Sequence, residues 1–331
     1  MASENPAYLI VIGASAGGMP ALVRLAGQLP AGLSAAVLVV QHLAATSSGP
    51  HLVERLAAVT GLRCSLATTD QPLEAGHLYL APPDRHLLIR DGHLLVTKGP
   101  RENNFRPAVD ALFRSAAAHH GTAVVGVVLT GLLHDGTAGL EQIKRAGGQA
   151  VVQDPLEAEF PSMPESALSN VEVDYVASLA EMGGLLTRLV SQPPRPVGLI
   201  PEDIKLEAAI AERIVGTTEQ AAQLGTLAPL TCPGCGGNLW QLNEGNVTRF
   251  RCHTGHAYTL GTLLDNSRQG LEETLWVALR MMEERKNLLL NLANRAGSAT
   301  AGNEFQLERI IELKHHVERL REFLLNGLSS A

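Results

Sequence analysis

The apolar run Tyr8-Leu9-Ile10-Val11-Ile12 breaks at Gly13-Ala14-Ser15-Ala16-Gly17-Gly18, so a strand ends in a glycine-flanked turn with one hydroxyl at its tip. Glycine tolerates backbone angles that other residues resist, so such a turn is tight and a helix starts at once. A serine there sits beside the unpaired N–H groups of that helix, an arrangement suited to a nucleophile whose oxyanion needs backbone donors. The same residues also approach a dinucleotide-binding G-x-G-x-x-G, but Ser15 stands where the middle glycine lets backbone approach pyrophosphate. The next apolar strand, 35–40, ends in Gln41-His42 rather than in the carboxylate that a ribose needs. Imidazole there suits a general base, which turns the balance from a nucleotide-dependent oxidoreductase toward hydrolysis.

Residues 7–190 alternate apolar runs with amphipathic stretches. Strands are expected at 8–12, 35–40, 78–81, 123–129 and 149–153, and helices at 20–29, 50–59, 106–118 and 137–146. Strands rich in Val, Ile and Leu without polar alternation belong to a parallel sheet covered on both faces. The expected fold class is therefore α/β, a doubly wound, mostly parallel sheet with its site at the carboxyl ends of the strands. Asp91-Gly92 between apolar flanks predicts an antiparallel hairpin over 86–96. Four regions follow: the α/β domain (1–190), a proline-rich linker and short helix (191–229), a cysteine-bearing unit (230–260) and a helical hairpin (261–331). In the last, Ile310, Leu313, Val317, Leu320 and Leu324 follow a three-four spacing. That seam either buries itself within the hairpin or serves as a docking or homodimer face.

A formal net charge of −7 argues against nucleic-acid binding. The first apolar run is too short for export and lacks a basic flank, and 123–133 falls below the ~20 residues that span a bilayer. A cytoplasmic protein without membrane insertion is expected.

A third candidate stands after the strand at 123–129, where Thr130-Gly131-Leu132-Leu133-His134-Asp135-Gly136 runs into a helix. A serine hydroxyl needs a base, and the base needs a carboxylate to hold its tautomer. Ser15, His42 and Asp135 supply the three roles, all at carboxyl ends of expected strands. Each has a plainer reading: Ser15 as an N-cap, Asp135 as a turn residue, His42 as a strand-closing histidine with His134 as the base instead. Oxyanion donors are expected from the backbone around Ala16 and Gly17 and from the Leu132–Leu133 loop.

The segments Val11–Gly18, Val39-Val40-Gln41-His42, Tyr79–Leu87, Phe105–Ser115, Leu129-Thr130-Gly131 through Asp135-Gly136, Gln153-Asp154-Pro155 and Met163-Pro164 resemble the catalytic domain of CheB-type protein-glutamate methylesterases. That resemblance covers about the first 190 residues and places the family's nucleophile on Ser15, its base on His42 and its orienting aspartate on Asp135. It implies hydrolysis of glutamate γ-methyl esters on methyl-accepting chemotaxis receptors, with glutamine deamidation as a related activity, both through an acyl-enzyme and without a catalytic cofactor. A receptor methyltransferase or a response regulator is a further partner it suggests. Two residues depart from the family pattern: Leu133 replaces a glycine, and Ala16 replaces a frequent threonine. No receiver domain is expected before the catalytic fold, so regulation is expected from the C-terminal part or another protein. A signalling adaptor acting through its C-terminal helices remains the alternative; its mark would be cells indifferent to Ser15→Ala and sensitive to loss of the helices.

Three of the four cysteines cluster in Cys232-Pro233-Gly234-Cys235 and Cys252-His253-Thr254-Gly255-His256; Cys64 stands alone and is expected to be a buried small hydrophobe. Cys232, Cys235, Cys252 and His256 have the spacing of a tetrahedral, structural Zn²⁺ site. His253 is the weaker ligand, and a redox Cys-x-x-Cys is the competing reading. The unit looks like the zinc-ribbon tail of some stand-alone relatives of this family.

Overall fold

The apolar runs form strands buried on both faces in this protein, for which the structure is a computed structural model describing residues 6–193, 196, 198–213, 216–296 and 301–326. Pro194 and Arg195 of the proline-rich stretch, residues 214–215 at the end of the expected short helix, and residues 297–300 of the expected interhelical break lie outside the described residues. The strands of the catalytic part are β1 (Tyr8–Ala14), β2 (Ala35–Gln41), β3 (Arg63–Leu66), β4 (His77–Leu80), β5 (His86–Arg90), β6 (His93–Thr97), β7 (Val124–Val128), β8 (Gln149–Gln153) and β9 (Tyr175–Ala177). Seven of them make one parallel sheet in the order β3-β4-β2-β1-β7-β8-β9. The remaining pair, β5 and β6, is the expected hairpin, and both Asp91 (φ 48°) and Gly92 (φ 76°) occupy the left-handed conformation its two-residue turn requires.

Helices α1 (Gly18–Ala26), α2 (Gly49–Ala57), α3 (Val109–His120), α4 (Thr137–Arg145), α5 (Ser162–Asn170) and α6 (Leu179–Val190) cover the sheet. Along β1, Tyr8, Ile10 and Ile12 pack with α1 and α6, whereas Leu9 and Val11 pack with α3 and α4. Two apolar layers explain why these strands carry no polar alternation. The chain leaves β1 toward β2 on one side and later places β7 on the other, so the order reverses at β1. Loops after β1, β2 and β7 therefore meet beside a topological switch point, where doubly wound sheets bind ligands.

Both edge strands, β3 and β9, went unanticipated because each is short and half-exposed. Cys64 lies on edge strand β3 and is partly exposed, not buried as expected, since an edge has no neighbour on one side.

After the sheet come α7 (Glu202–Arg213) and α8 (Thr218–Leu224), then the strands β10 (Gly225–Thr231), β11 (Asn238–Leu242), β12 (Arg249–Cys252) and β13 (Ala257–Thr259) in one antiparallel sheet. This small sheet belongs to the same compact unit as the catalytic fold, which runs to Thr262. A buried charge cluster joins them. Glu207 on α7 accepts from Arg249 (2.8 Å) and Arg251 (3.1 Å) of β12 and from Gln142 of α4 (2.8 Å), and forms an ion pair with Arg114 of α3 (3.2 Å). Glu102 pairs with Arg114 (2.5 Å) and Arg251 (3.4 Å). Burial pushes both carboxyls up, but the guanidinium groups outweigh it and leave both below the ordinary range. Because these folded-state values are depressed, the cluster's contribution is at full strength above the unfolded carboxylate value, and is lost as pH falls through the folded values, below about pH 4. Glu207→Ala leaves three buried guanidinium groups facing one carboxylate. Urea unfolding at pH 7 should show a loss of about 3–5 kcal/mol; a loss below about 1 kcal/mol, the worth of a surface pair, would refute this.

The second unit starts at Leu263 and contains most of α9 (Leu260–Ala296) and α10 (Ala301–Asn326). Val317 and Leu324 of the expected seam bury against Leu279, with Leu275, Met282 and Leu320 around them. Among the described residues no helix is long and apolar enough to cross a membrane.

Candidate active site

Ser15, His42 and the loop bearing Asp135 follow three neighbouring parallel strands, and their side chains meet. Ser15 Oγ lies 3.0 Å from His42 Nδ1, and His42 Nε2 lies 2.8 Å from Asp135 Oδ2. With the carboxylate ionised, Nε2 carries the hydrogen and donates it to Asp135, so Nδ1 turns its lone pair toward the serine hydroxyl. Phe105 stacks flat on the imidazole, with ring centroids 3.6 Å apart and an interplanar angle of 10°. The ring is thus fixed at both nitrogens and on one face.

Asp135 is wholly buried, yet it accepts from Val109 N (2.6 Å), Asp110 N (3.2 Å) and Asn103 Nδ2 (3.1 Å) as well as from His42. Val109 and Asp110 open α3, so the carboxylate caps the positive end of that helix. Burial pushes its pKa up, but the His42 hydrogen bond and charge, the Val109 amide and Asn103 prevail, and it ends below the ordinary value. Neighbouring Asp110 goes the other way: burial and then the Asp135 charge push it up to about 8, against the hydrogen bond from the Gly139 amide. Two carboxyls side by side are thereby set to opposite protonation tendencies, with the ionised one on the histidine.

The Ser15 turn is held from both sides. Gln41 Nε2 donates to Ser15 O (2.7 Å), Ser15 N donates to Thr130 O (3.0 Å), and Thr130 Oγ1 donates to Ala16 O (3.1 Å). Gly17 takes φ 69° and α1 begins immediately after it. A Cβ on Gly131 would lie 2.8 Å from Ser15 Cβ and 2.1 Å from Met163 Sδ, so only glycine lets the β7 loop approach the serine. Leu133 adopts φ 67°, a left-handed conformation that glycine takes freely and that costs a leucine about 1–2 kcal/mol. Leu132 and Leu133 both expose their side chains beside Asp135.

His134 does not join the triad. Its ring lies against Gly261, where it lines a groove of about 260 Å³ with Thr137, Ser166 and Val247. Sequence reasoning missed the supporting residues Asn103, Phe105, Gln41 and Thr130. Gln41, Phe105 and Thr130 were visible only as parts of matching segments, and nothing periodic marks a buried carboxamide or ring in a loop.

Away from the triad, ligand atoms of Cys232, Cys235, Cys252 and His256 all lie within 4.8 Å of one another. Cys235 and Cys252 Sγ are 3.7 Å apart, and Cys252 Sγ is 3.6 Å from His256 Nδ1. Edges of a tetrahedron with metal–sulfur bonds of about 2.3 Å measure close to that, so the four groups fit Zn²⁺. His253 packs edge-on against Trp240 instead.

Comparison with known proteins agrees with this geometry. A sequence profile of the family described as CheB methylesterase matches residues 10–186. A Leptospira interrogans protein named as a candidate protein-glutamate methylesterase/protein-glutamine glutaminase is 40% identical over 183 residues, 54% of this chain and 93% of that protein. Protein-glutamate methylesterase/protein-glutamine glutaminases of Photorhabdus laumondii and Myxococcus xanthus are 37% and 36% identical over 187 and 180 residues. The matches cover 55% and 54% of this chain, which spans about half of those two proteins (53% and 51%). The crystal structure of the Thermotoga maritima CheB methylesterase catalytic domain matches with a TM-score of 0.50 and 30% identity, covering 55% of this chain and 98% of that one. All three triad residues fall within the matched span, whereas the cysteine cluster lies beyond it.

Proposed function

The chain belongs to the CheB methylesterase family, and we propose that it hydrolyses glutamate γ-methyl esters of proteins with Ser15 as nucleophile, His42 as base and Asp135 as orienting carboxylate. The observation that carries this reading is the unbroken chain from Ser15 Oγ through His42 to Asp135, at 3.0 and 2.8 Å. Ser15 Oγ attacks the ester carbonyl while Nδ1 accepts its proton, and the imidazolium that forms is stabilised by Asp135. The Ser15 amide is taken by Thr130 O and the Gly18 amide by Ser15 O, so those of Ala16 and Gly17 are assigned to the oxyanion, with the Leu132–Leu133 loop at its rim. Collapse returns the proton to the departing methoxide, releasing methanol and leaving a glutamyl ester on Ser15. Water then attacks that ester with His42 again as base. A glutamine side chain follows the same course with ammonia as the leaving group.

Methyl-accepting chemotaxis receptors are the proposed substrates, and the apolar lip of Leu132 and Leu133 suits a protein surface more than a small molecule. Thiols grouped for metal binding support a reducing, cytoplasmic setting. Zn²⁺ is assigned to Cys232, Cys235, Cys252 and His256; four protein ligands close the site, which makes the metal structural and leaves it out of the ester chemistry.

The test is methanol release from membranes bearing methylated receptors. Release in step with the loss of receptor methyl groups is expected; a folded, zinc-loaded protein that releases none would overturn the substrate assignment.

A further inference from the structure

Asn103 sits in the loop between β6 and α3, outside the triad and unmarked by any sequence motif, yet its carboxamide touches both the catalytic carboxylate and the small antiparallel sheet β10–β13, the ribbon sheet. Nδ2 donates to Asp135 Oδ1 at 3.1 Å and to Asp110 Oδ2 at 2.7 Å, while Oδ1 accepts from Thr259 N at 3.0 Å. The orientation is settled by Asp135 and Thr259: flipped, the amide would aim its oxygen at the Asp135 carboxylate and its hydrogens at a backbone N–H. Asn103 is buried and adopts φ 49°, a conformation asparagine tolerates better than most residues. Its own amide donates to Ala257 O at 2.9 Å, and Glu102 beside it bridges to Ala257 and to Arg251 of β12. Two residues on, Phe105 covers the His42 ring. One short loop therefore steadies both the base and its carboxylate, and β13 steadies the loop.

We infer that Asn103 is a positioning residue for the triad and that ribbon strand β13, through Thr259 N and Ala257 O, holds it in place, so that the ribbon sheet is part of the catalytic support. This rests on the triad assignment above. Asp135 offers four lone-pair directions and uses one on His42; a donor on Oδ1 keeps the carboxylate plane turned so that Oδ2 faces Nε2. Without that donor the buried carboxylate reorients toward its remaining partners, and the fraction of His42 with the right tautomer and angle falls. Ground-state binding of the ester is untouched, so kcat falls and KM stays.

Asn103→Ser and Asn103→Asp separate this from a merely structural role. Serine is too short to reach Asp135, while aspartate keeps the volume and the acceptor for Thr259 N but replaces the donor facing Asp135. Both variants, checked for zinc content and melting temperature, should lose kcat by about 10–100-fold, the range seen when residues that orient active groups are removed, with KM within about twofold. Introduced into an Asp135→Asn background, either change should cost under about twofold, since the group through which Asn103 acts is already gone. Equal losses in both backgrounds, a rise in KM that accounts for the loss, or wild-type kcat in a folded variant would each overturn the inference. If Ser15→Ala or Asp135→Asn itself kept full activity, the triad reading would fail; inactive triad variants beside fully active Asn103 variants would sink only the role of Asn103.

Discussion

Ser15→Ala should lower the rate of methanol release by about 10⁶-fold and Asp135→Asn by about 10⁴-fold, with KM little changed in either. The serine change removes the only atom placed to form the acyl-enzyme, so what remains is the oxyanion site acting on water. The asparagine change is subtler and follows from the four donors around Asp135. His42 Nε2 and Val109 N point at Oδ2, and Asn103 Nδ2 and Asp110 N point at Oδ1. An amide has one oxygen, so its NH₂ must face one of these pairs. Placed at Oδ2, it donates to Nε2 and drives the imidazole hydrogen to Nδ1, where it confronts the serine instead of accepting its proton. Placed at Oδ1, it sets hydrogen against hydrogen in a site with no solvent to relieve them. Either way the base is lost, while Ser15 and the oxyanion turn remain. Single-turnover and steady-state methanol assays on folded proteins decide it, and an Asp135→Asn enzyme within tenfold of wild type would remove the aspartate from the mechanism.

The catalytic strands were legible because burial on both faces leaves a plain mark: Val37 to Val40 and Val124 to Val128 read as continuous apolar runs. Ser15, His42 and Asp135 stood out because each closes such a run in a polar or glycine-rich turn. The edges were not legible, since Arg63–Leu66 and Tyr175–Ala177 are short and half-solvated and resemble loops. Nor was the β6–α3 loop, where Glu102 and Asn103 are buried between Arg114, Asp110 and Asp135 on one side and Arg251 and Thr259 on the other. A polar pair such as this reads as surface in sequence, and its role depends on partners more than a hundred residues away. The expectation for α3 began three residues early because Ala108 stays extended before the helix that Asp135 caps. The linker reading did not anticipate α8 or β10, and it gave no hint that Glu207 would be buried among three arginines.

Removing zinc should be the largest single perturbation of stability, and its course should be stepwise. The ribbon sheet buries few large apolar side chains, chiefly Leu239, Trp240, Phe250 and Tyr258, and most of β10 is exposed. Structural zinc contributes about 10–16 kcal/mol in isolated finger peptides; here the tie of Arg249 and Arg251 to Glu207 and Glu102 retains part of the arrangement without metal. Chelation, or Cys252→Ala, should therefore unfold residues around 232–256 first and leave the parallel sheet standing. Hydrogen exchange should lose protection over β11–β13 while β1, β2 and β7 keep theirs. Thiol titration should rise from one reactive cysteine, the partly exposed Cys64, to all four. As β13 loosens, Thr259 N and Ala257 O leave Asn103, so kcat should fall with the ribbon and return on adding Zn²⁺ back. Exposed Cys235 already reactive before chelation, with an exchange pattern that chelation leaves unchanged, would mean that these four side chains hold no metal. Loss of ribbon protection with full esterase activity would keep the metal but detach it from the triad. Stability and catalysis are expected to fall together because β13 follows directly on His256, the fourth proposed ligand, and ends on Thr259, which holds Asn103.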